Sequence, residues 1–136
     1  GVLATGDTPW RDAKDAMGRG ADAVLVTVGA AGAYYVAPKY LARGGKVIMV
    51  GMPATGATST YEAGNFAAVG QSMIGSKMGD VVIKRDIPWM VDLYQQGRLK
   101  LDELISGRWS LDQINEAIAD TKTGQAGRNV IVFNRK

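Results

Sequence analysis

Two apolar runs, each followed by a glycine, constrain the fold of this chain more than any other feature. Residues 23–28 and 46–50 are almost entirely apolar and rich in β-branched side chains, and Gly29 and Gly51 end them. Neither run alternates apolar with polar residues, which is typical of a strand buried on both faces. A helical pattern over residues 32–42, ending at a pair of glycines, lies between them. The spacing predicts a right-handed βαβ crossover within a parallel sheet.

Shorter segments predict further elements on either side of this unit. Thr8 can cap a helix that begins at Pro9 and ends near Gly18. Ser110 and Gln113 have the spacing of a capping box, which starts a second helix. The remaining predicted elements are strands over residues 2–4, 72–76 and 129–133, a helical turn over residues 65–69, and a helix capped by Asp86 that ends at Gly97.

Composition excludes several classes of function. The 16 Lys and Arg residues against 13 Asp and Glu are scattered without a long run of one sign, and a net charge of +3 argues poorly for nucleic-acid binding. The 136 residues contain no Cys and no His, so thiolate or imidazole metal ligands, Cys nucleophiles and His general bases are excluded here. No run approaches the ~20 apolar residues of a membrane span, and a signal-peptide pattern is missing at the start. We therefore expect a cytoplasmic globular protein.

Residues 18–23 fit the letters G-x-G-x-x-A of a dinucleotide-binding fingerprint. In that fingerprint a strand leads to glycines at a helix N-terminus, which faces the pyrophosphate. Here a helix precedes Gly18 and Gly20, and a strand follows them. We interpret the segment as a turn that ends a helix.

Gly29 and Gly51 are better candidates for ligand contact, because each follows a strand whose carboxyl end lies at the ligand-binding edge of an open α/β sheet. A glycine lets a ligand approach the backbone, but tight turns after strands also prefer glycine, so both interpretations stay open.

Arg128 could donate two hydrogen bonds to a phosphate, although a solvated arginine is the commoner case. We favour structural roles for three other sets: Lys77, Lys84 and Arg85 as a solvated helix start, Asp102 and Glu103 as carboxylates that do not face each other, and Trp10, Trp89 and Trp109 as packing residues.

Eight short segments run through nearly the whole chain in an order and at a spacing that belong to one known family. They are residues 20–29, 41–53, 74–79, 85–88, 97–99, 101–105, 114–117 and 124–133. Together they resemble the C-terminal portion of the medium-chain, zinc-dependent alcohol dehydrogenases. The resemblance implies hydride transfer between an alcohol or aldehyde and a nicotinamide cofactor, NAD(P) with NAD as the preferred form. It also implies a Rossmann sheet joined to a separate catalytic domain.

The resemblance assigns cofactor contacts residue by residue. Val28 and Gly29 match the strand end that lines the adenosine side of the cofactor cleft. Val50, Gly51 and Met52 match the segment beside the nicotinamide and its ribose, where backbone groups bind the carboxamide and Met52 packs against the ring.

Three further positions complete the cofactor contacts that the resemblance implies. Ser76 and Met78 match positions whose backbone carbonyl and N–H groups complete the carboxamide site. Arg128 matches an arginine that pairs with the pyrophosphate. No residue here matches a catalytic residue or a metal ligand of the family.

The sequence also departs from the family pattern. A zinc ion, held upstream by cysteine and histidine or carboxylate ligands, polarises the substrate oxygen in these enzymes. We expect that zinc site, the phosphate-binding glycine loop and the acidic residue that selects NAD over NADP only in an upstream part. In the strand order 3-2-1-4-5-6, residues 2–4 match strand 3 and residues 23–28 match strand 4, so strands 1 and 2 are absent. This chain alone is therefore expected to be inactive.

The sequence predicts an α/β fold with an incomplete, Rossmann-type doubly wound parallel sheet. Residues 1–78 form its βαβ half, and residues 79–136 form a helical C-terminal segment of the catalytic domain. Expected partners are a small alcohol or aldehyde and a second copy of the chain, in a homodimer or homotetramer through the strand at residues 72–76, with no nucleic acid and no membrane. A zinc-free quinone or enoyl reductase of the same superfamily, and a non-catalytic oligomerising half-domain, remain as alternatives.

Overall fold

The computed structural model of this chain describes Gly1 and residues 5–133. The strand predicted at residues 2–4 lies outside the described residues. The chain divides into two compact units, Gly1–Val81 and Val82–Lys136. Among the described residues, no helix combines the length and the apolar character that crossing a bilayer requires.

The first unit is built around three parallel strands. Its elements are α1 (Pro9–Met17), β1 (Ala21–Val26), α2 (Ala31–Val36), a 3-10 turn (Ala37–Tyr40), β2 (Leu41–Met49), α3 (Ala63–Val69) and β3 (Ser72–Gly75). The strand order is β1-β2-β3, and Met49 lies opposite both Val26 and Gly75. The predicted βαβ crossover and its parallel sheet are confirmed. Gly18 ends α1 in the left-handed conformation, which confirms the interpretation of residues 18–23 as a helix-ending turn.

The core of this unit lies on one face of the sheet. Val47 is completely buried, and Val26, Tyr34, Ala37 and Leu41 pack with it. Residues on the opposite face are open, since Leu25 is 63% exposed and Ile74 is 43% exposed. The prediction that the run at residues 23–28 is buried on both faces is therefore wrong for β1, because the core that α2 and the 3-10 turn complete lies on the other face from Leu25.

The crossover helix is shorter than predicted. The helical pattern was expected to continue to residue 42, but α2 ends at Val36 and β2 already begins at Leu41. Pro38 has no N–H to continue the α-helical hydrogen bonds, and the chain tightens there into the 3-10 turn. The glycines expected to end the helix lie inside β2, where a Cβ atom at Gly45 would come within 2.9 Å of the Ala21 carbonyl oxygen. This close approach accompanies the register shift between Ala21 and Ala23.

In the second unit, the predicted terminal strand pairs with a strand that the sequence analysis missed. Its elements are α4 (Ile83–Gln95), a 3-10 turn (Asp102–Leu104), β4 (Ile105–Trp109), a 3-10 turn (Leu111–Gln113), α5 (Ile114–Lys122) and β5 (Arg128–Ile131). β4 pairs with β5 in parallel, so the segment predicted to be helical before its terminal strand is a small α/β unit. The capping box of Ser110 and Gln113 is present as predicted.

Candidate functional site

The carboxyl ends of three parallel strands meet at one edge of the first unit. The turn after β1 and the turn after β2 lie against each other there, because the N–H groups of Val50 and Gly51 both donate to the Val26 carbonyl, at 3.0 and 2.8 Å. Ser76 extends the same edge, since its N–H donates to the Met49 carbonyl at 2.9 Å. The structure thus brings residues of three separate segments together at the edge where open α/β sheets bind ligands.

Gly29 and Gly51 lock these two turns together. A Cβ atom at Gly51 would lie 2.7 Å from the Val28 nitrogen and closer still to the Val28 carbonyl group. A Cβ atom at Gly29 would collide with the Met52 carbonyl oxygen. At both positions the space that a side chain needs holds neighbouring backbone. This geometry supports the packing role that the sequence left open for the two glycines.

Tyr34 is a site residue that the sequence analysis missed. It lies on α2, is only 7% exposed, and donates its hydroxyl hydrogen bond to the Gly51 carbonyl. Both backbone polar groups of Gly51 therefore have partners, its N–H on Val26 and its carbonyl on Tyr34. The sequence offered no signal for this role, because Tyr34 and Tyr35 are neighbours in one helical pattern and local sequence does not tell which of them faces the sheet.

A cavity of about 500 Å³ opens beside Tyr34 at this edge. Its lining is mainly apolar, with hydroxyl groups from two tyrosines and a serine. The lining residues are Tyr34, Met49, Gly51, Met52, Pro53, Ala57, Ser59, Tyr61 and Met73. Met52 is 89% exposed, so its thioether side chain is free to pack on a ligand.

Met78 and Arg128, two further candidate cofactor-binding residues, lie in different surroundings. Met78 follows β3 in a short turn, is 72% exposed and has a left-handed φ of 54°. Arg128 belongs to the second unit, where it is the exposed first residue of β5. Its N–H donates to the Ser106 hydroxyl, and that hydroxyl donates to the Arg128 carbonyl, both at 3.2 Å. The backbone of Arg128 is thus held in place while its side chain faces solvent.

Charged groups of the second unit form surface pairs. The Arg85 guanidinium lies 2.6 Å from an Asp86 carboxylate oxygen, and this hydrogen bond, with a second from the Val82 N–H, holds the pKa of Asp86 below its ordinary value. Asp102 accepts a hydrogen bond from Tyr94 at 2.7 Å and raises the pKa of that phenol, whereas Glu103 lies 3.5 Å from Lys100. Arg85 thus lies exposed at the start of α4, and Asp102 and Glu103 have different partners. In the described part of the chain, no group of three or more carboxylates is placed to hold a metal ion.

Comparison with known sequences places the chain among dehydrogenases. Residues 3–96, well over half of the chain, match the family described as zinc-binding dehydrogenase. The NDMA-dependent alcohol dehydrogenase of Amycolatopsis methanolica is 30% identical over 120 residues, which cover 86% of this chain and 32% of that protein. The chain spans about a third of the length of the curated relatives it matches.

Solved structures share the fold. Benzyl alcohol dehydrogenase from Acinetobacter calcoaceticus matches with a TM-score of 0.86 and 26% identity, over 94% of this chain and 35% of that one. A structure from Sinorhizobium meliloti 1021, described as a zinc-binding dehydrogenase bound to NADP, matches with a TM-score of 0.63 and 25% identity, over 74% of this chain and 28% of that one. These matches confirm the expected α/β, Rossmann-type class.

Proposed function

Because this chain belongs to the zinc-binding dehydrogenase family, we propose that it forms one side of the nicotinamide cofactor cleft of an alcohol dehydrogenase. The observation that carries the proposal is the edge where the ends of β1, β2 and β3 meet, with an apolar cavity of about 500 Å³ beside it. Such an edge is where open α/β sheets place dinucleotides. The NADP held by a structural relative supports a nicotinamide cofactor, and NAD is the form we propose here.

The fit between this edge and a nicotinamide ring rests on the cavity lining. A planar ring can enter beside Met52, whose exposed side chain is free to cover one ring face. A bound nicotinamide would supply the hydride chemistry, taking hydride from an alcohol in its oxidised form or giving it to an aldehyde in its reduced form. The chain's own residues bind and orient the ring, and the apolar lining keeps water from its face.

The hydrogen bonds that the backbone of Gly51 already makes limit which backbone groups can bind the carboxamide of the cofactor. The N–H and carbonyl of Gly51 are already occupied by Val26 and Tyr34. We therefore assign the carboxamide to the neighbouring groups: the Val50 carbonyl, the Met52 N–H, the Ser76 carbonyl and the Met78 N–H. Tyr34 has a positioning role, because its hydroxyl fixes the peptide between Gly51 and Met52.

Val28 and Gly29 are proposed to line the adenosine side of the cleft. Arg128 is proposed to pair with the pyrophosphate. We assign the unit Gly1–Val81 to the dinucleotide-binding domain and the unit Val82–Lys136 to the catalytic domain. The zinc ligands would be residues outside this chain, since this sequence has no Cys or His to bind the metal. By itself this chain is then unable to polarise the substrate oxygen and would not turn over an alcohol.

The proposal is tested by mapping NADH binding to the isotope-labelled 136-residue chain with backbone amide shifts. Shifts are expected at Met52 and Met78, with little change at α5. Met52→Ala is expected to weaken binding about fivefold through lost ring contact. Met17→Ala is the matched control, because Met17 is an exposed methionine at the end of α1. Shifts absent from the strand-end edge would contradict the proposal.

A separate assay addresses activity. Simple alcohols and NAD are incubated with the chain, and no reduction of NAD above a buffer blank is expected. Turnover by the pure chain would contradict the assignment of zinc and substrate activation to residues outside it.

A further inference from the structure

A groove of about 390 Å³ lies at the opposite, amino-terminal edge of the same sheet. It is bordered by α1, by the 3-10 turn before β2, by the first residues of β2 and by α3. We call it the basic groove and define it by Lys14, Lys39, Arg43, Tyr35, Tyr61 and Phe66. It shares only Tyr61 with the cavity at the cofactor edge.

Positive charge in the basic groove is left unbalanced. Lys14 and Lys39 are half-buried, and the ion pairs formed by the described residues involve other side chains. The one carboxylate of the lining, Glu62, accepts a hydrogen bond from the Asn65 amide at 2.6 Å. The lining therefore carries three positive charges and one negative charge, and the carboxylate of Glu62 already accepts a hydrogen bond. This excess of positive charge favours an anionic ligand.

Aromatic rings flank these cations. The Lys39 ammonium lies 4.4 Å from the centre of the Tyr35 ring and 4.5 Å from that of Trp10, a cation–π arrangement that holds it in place. Across the groove, Tyr61 and Phe66 meet edge to face with ring centres 5.0 Å apart. A planar ring that enters the groove can contact aromatic surface while its charged group reaches a cation.

We propose that the basic groove binds a small aromatic anion, a planar ring that carries a carboxylate or a phosphate. The ring contacts Tyr35, Tyr61 and Phe66, and the anion pairs with Lys39 and with Arg43, whose guanidinium can donate two parallel hydrogen bonds. Because this groove lies at the edge away from the strand ends, its ligand is distinct from the dinucleotide proposed above. The inference does not rest on the proposed function.

Four probes separate the contributions of ring and charge. The labelled full chain is titrated with benzoate, phenyl phosphate, benzamide and inorganic phosphate while backbone amide shifts are recorded. Benzoate or phenyl phosphate is expected to shift Tyr35, Lys39 and Phe66, and the tighter of the two identifies the anion. Benzamide, which lacks the charge, and inorganic phosphate, which lacks the ring, are expected to bind about tenfold more weakly. Equal binding of inorganic phosphate and phenyl phosphate, or no saturable binding by either aromatic anion, would overturn the proposal.

Variants test where the anion binds. Arg43→Gln and Lys39→Gln are each expected to raise the dissociation constant of the tighter probe about tenfold. Lys46→Gln is the matched control, because Lys46 is an exposed cation on the same strand outside the groove. It is expected to leave the dissociation constant unchanged. If Lys46→Gln weakens binding as much as Arg43→Gln, the attraction is non-specific and the proposal fails; circular dichroism confirms that the variants fold.

Discussion

Adjacent tyrosines on α2 have different roles. Tyr34 is buried and donates to the Gly51 carbonyl, whereas Tyr35 is 49% exposed and lies beside Lys39. Successive residues on a helix point about 100° apart, so only one of two neighbours can face the sheet. Position 51 must be a glycine, because the backbone of Val28 fills the space that a Cβ atom would need. The conformation of the turn after β2 therefore depends on one hydroxyl and one absent side chain.

Replacing Tyr34 by Phe should lower the free energy of unfolding by roughly 1–2 kcal/mol, because the Gly51 carbonyl loses its buried donor. Tyr35→Phe changes the same atom at the neighbouring, exposed position and should alter stability by less than about 0.5 kcal/mol. Urea unfolding of both variants gives the comparison. Equal midpoints for the two variants would show that the hydroxyl of Tyr34 does not stabilise the turn.

Side chains at helix ends and strand ends hold the elements of the second unit together. The Asn129 amide of β5 donates to the Ala117 carbonyl at 3.0 Å and to an Asp120 carboxylate oxygen at 2.8 Å, which ties β5 to α5. At the start of α4, the Asp86 carboxylate accepts the Val82 N–H at 2.8 Å. The prediction that Asp86 is the cap residue of this helix is wrong, because α4 begins at Ile83 and Asp86 lies in its first turn, from which its carboxylate reaches back to a free backbone N–H.

The start of α4 should therefore lose order in acid. The pKa of Asp86 lies below its ordinary value, chiefly through the Arg85 hydrogen bond, so the folded state binds this proton less readily than the unfolded state. The stabilisation is present above the ordinary aspartate pKa of about 3.9 and disappears as the pH falls through the lower, folded value. Amide exchange of the first turn of α4 between about pH 6 and pH 3 measures it.

Asp86→Asn should remove this pH dependence from the first turn of α4. Asp92→Asn, an exposed carboxylate later in the same helix, should leave it unchanged. Persistence of the pH dependence in the Asp86 variant would mean that another group causes it.

Over the whole molecule, much apolar surface is open. The open face of the first unit includes Leu25 and Ile74, and α4 exposes Ile87, Trp89 and Met90. Large exposed apolar patches mark surfaces that other protein segments cover. Among the strands that the structure describes, β3 lies at an edge of its sheet, where a further strand can pair. These features support the proposal that β3 pairs with a second copy of the chain.

Ile74→Lys should convert the proposed homodimer into a monomer, because a charge on an edge strand opposes pairing. Leu25→Lys makes the same change on the same sheet face, but in β1 at the other edge, and should leave the dimer intact. Light scattering gives the molar mass of each. A monomeric parent chain, or a dimer lost with Leu25→Lys alone, would rule out association through β3.

Local patterns were sufficient for much of this fold. The glycines after two apolar runs predicted the ends of β1 and β2 to within two residues, Pro9 and Gly18 bounded α1, and the Ser110 capping box was found where expected. Even the missed strand β4 carried a sequence signal, since polar Ser106 and Arg108 alternate with Ile105, Gly107 and Trp109. These features are readable because they depend on residues within a few positions of each other.

The sequence by itself determined the parallel α/β class, the family and the edge at which the candidate cofactor residues lie. Only the tertiary structure decided that β4 pairs with β5, that Tyr34 holds the Gly51 carbonyl, and that the two glycines pack on neighbouring backbone. Each of these joins segments that are distant along the chain. Strand register and close backbone contact depend on which surfaces meet in space, and short-range patterning leaves that choice open.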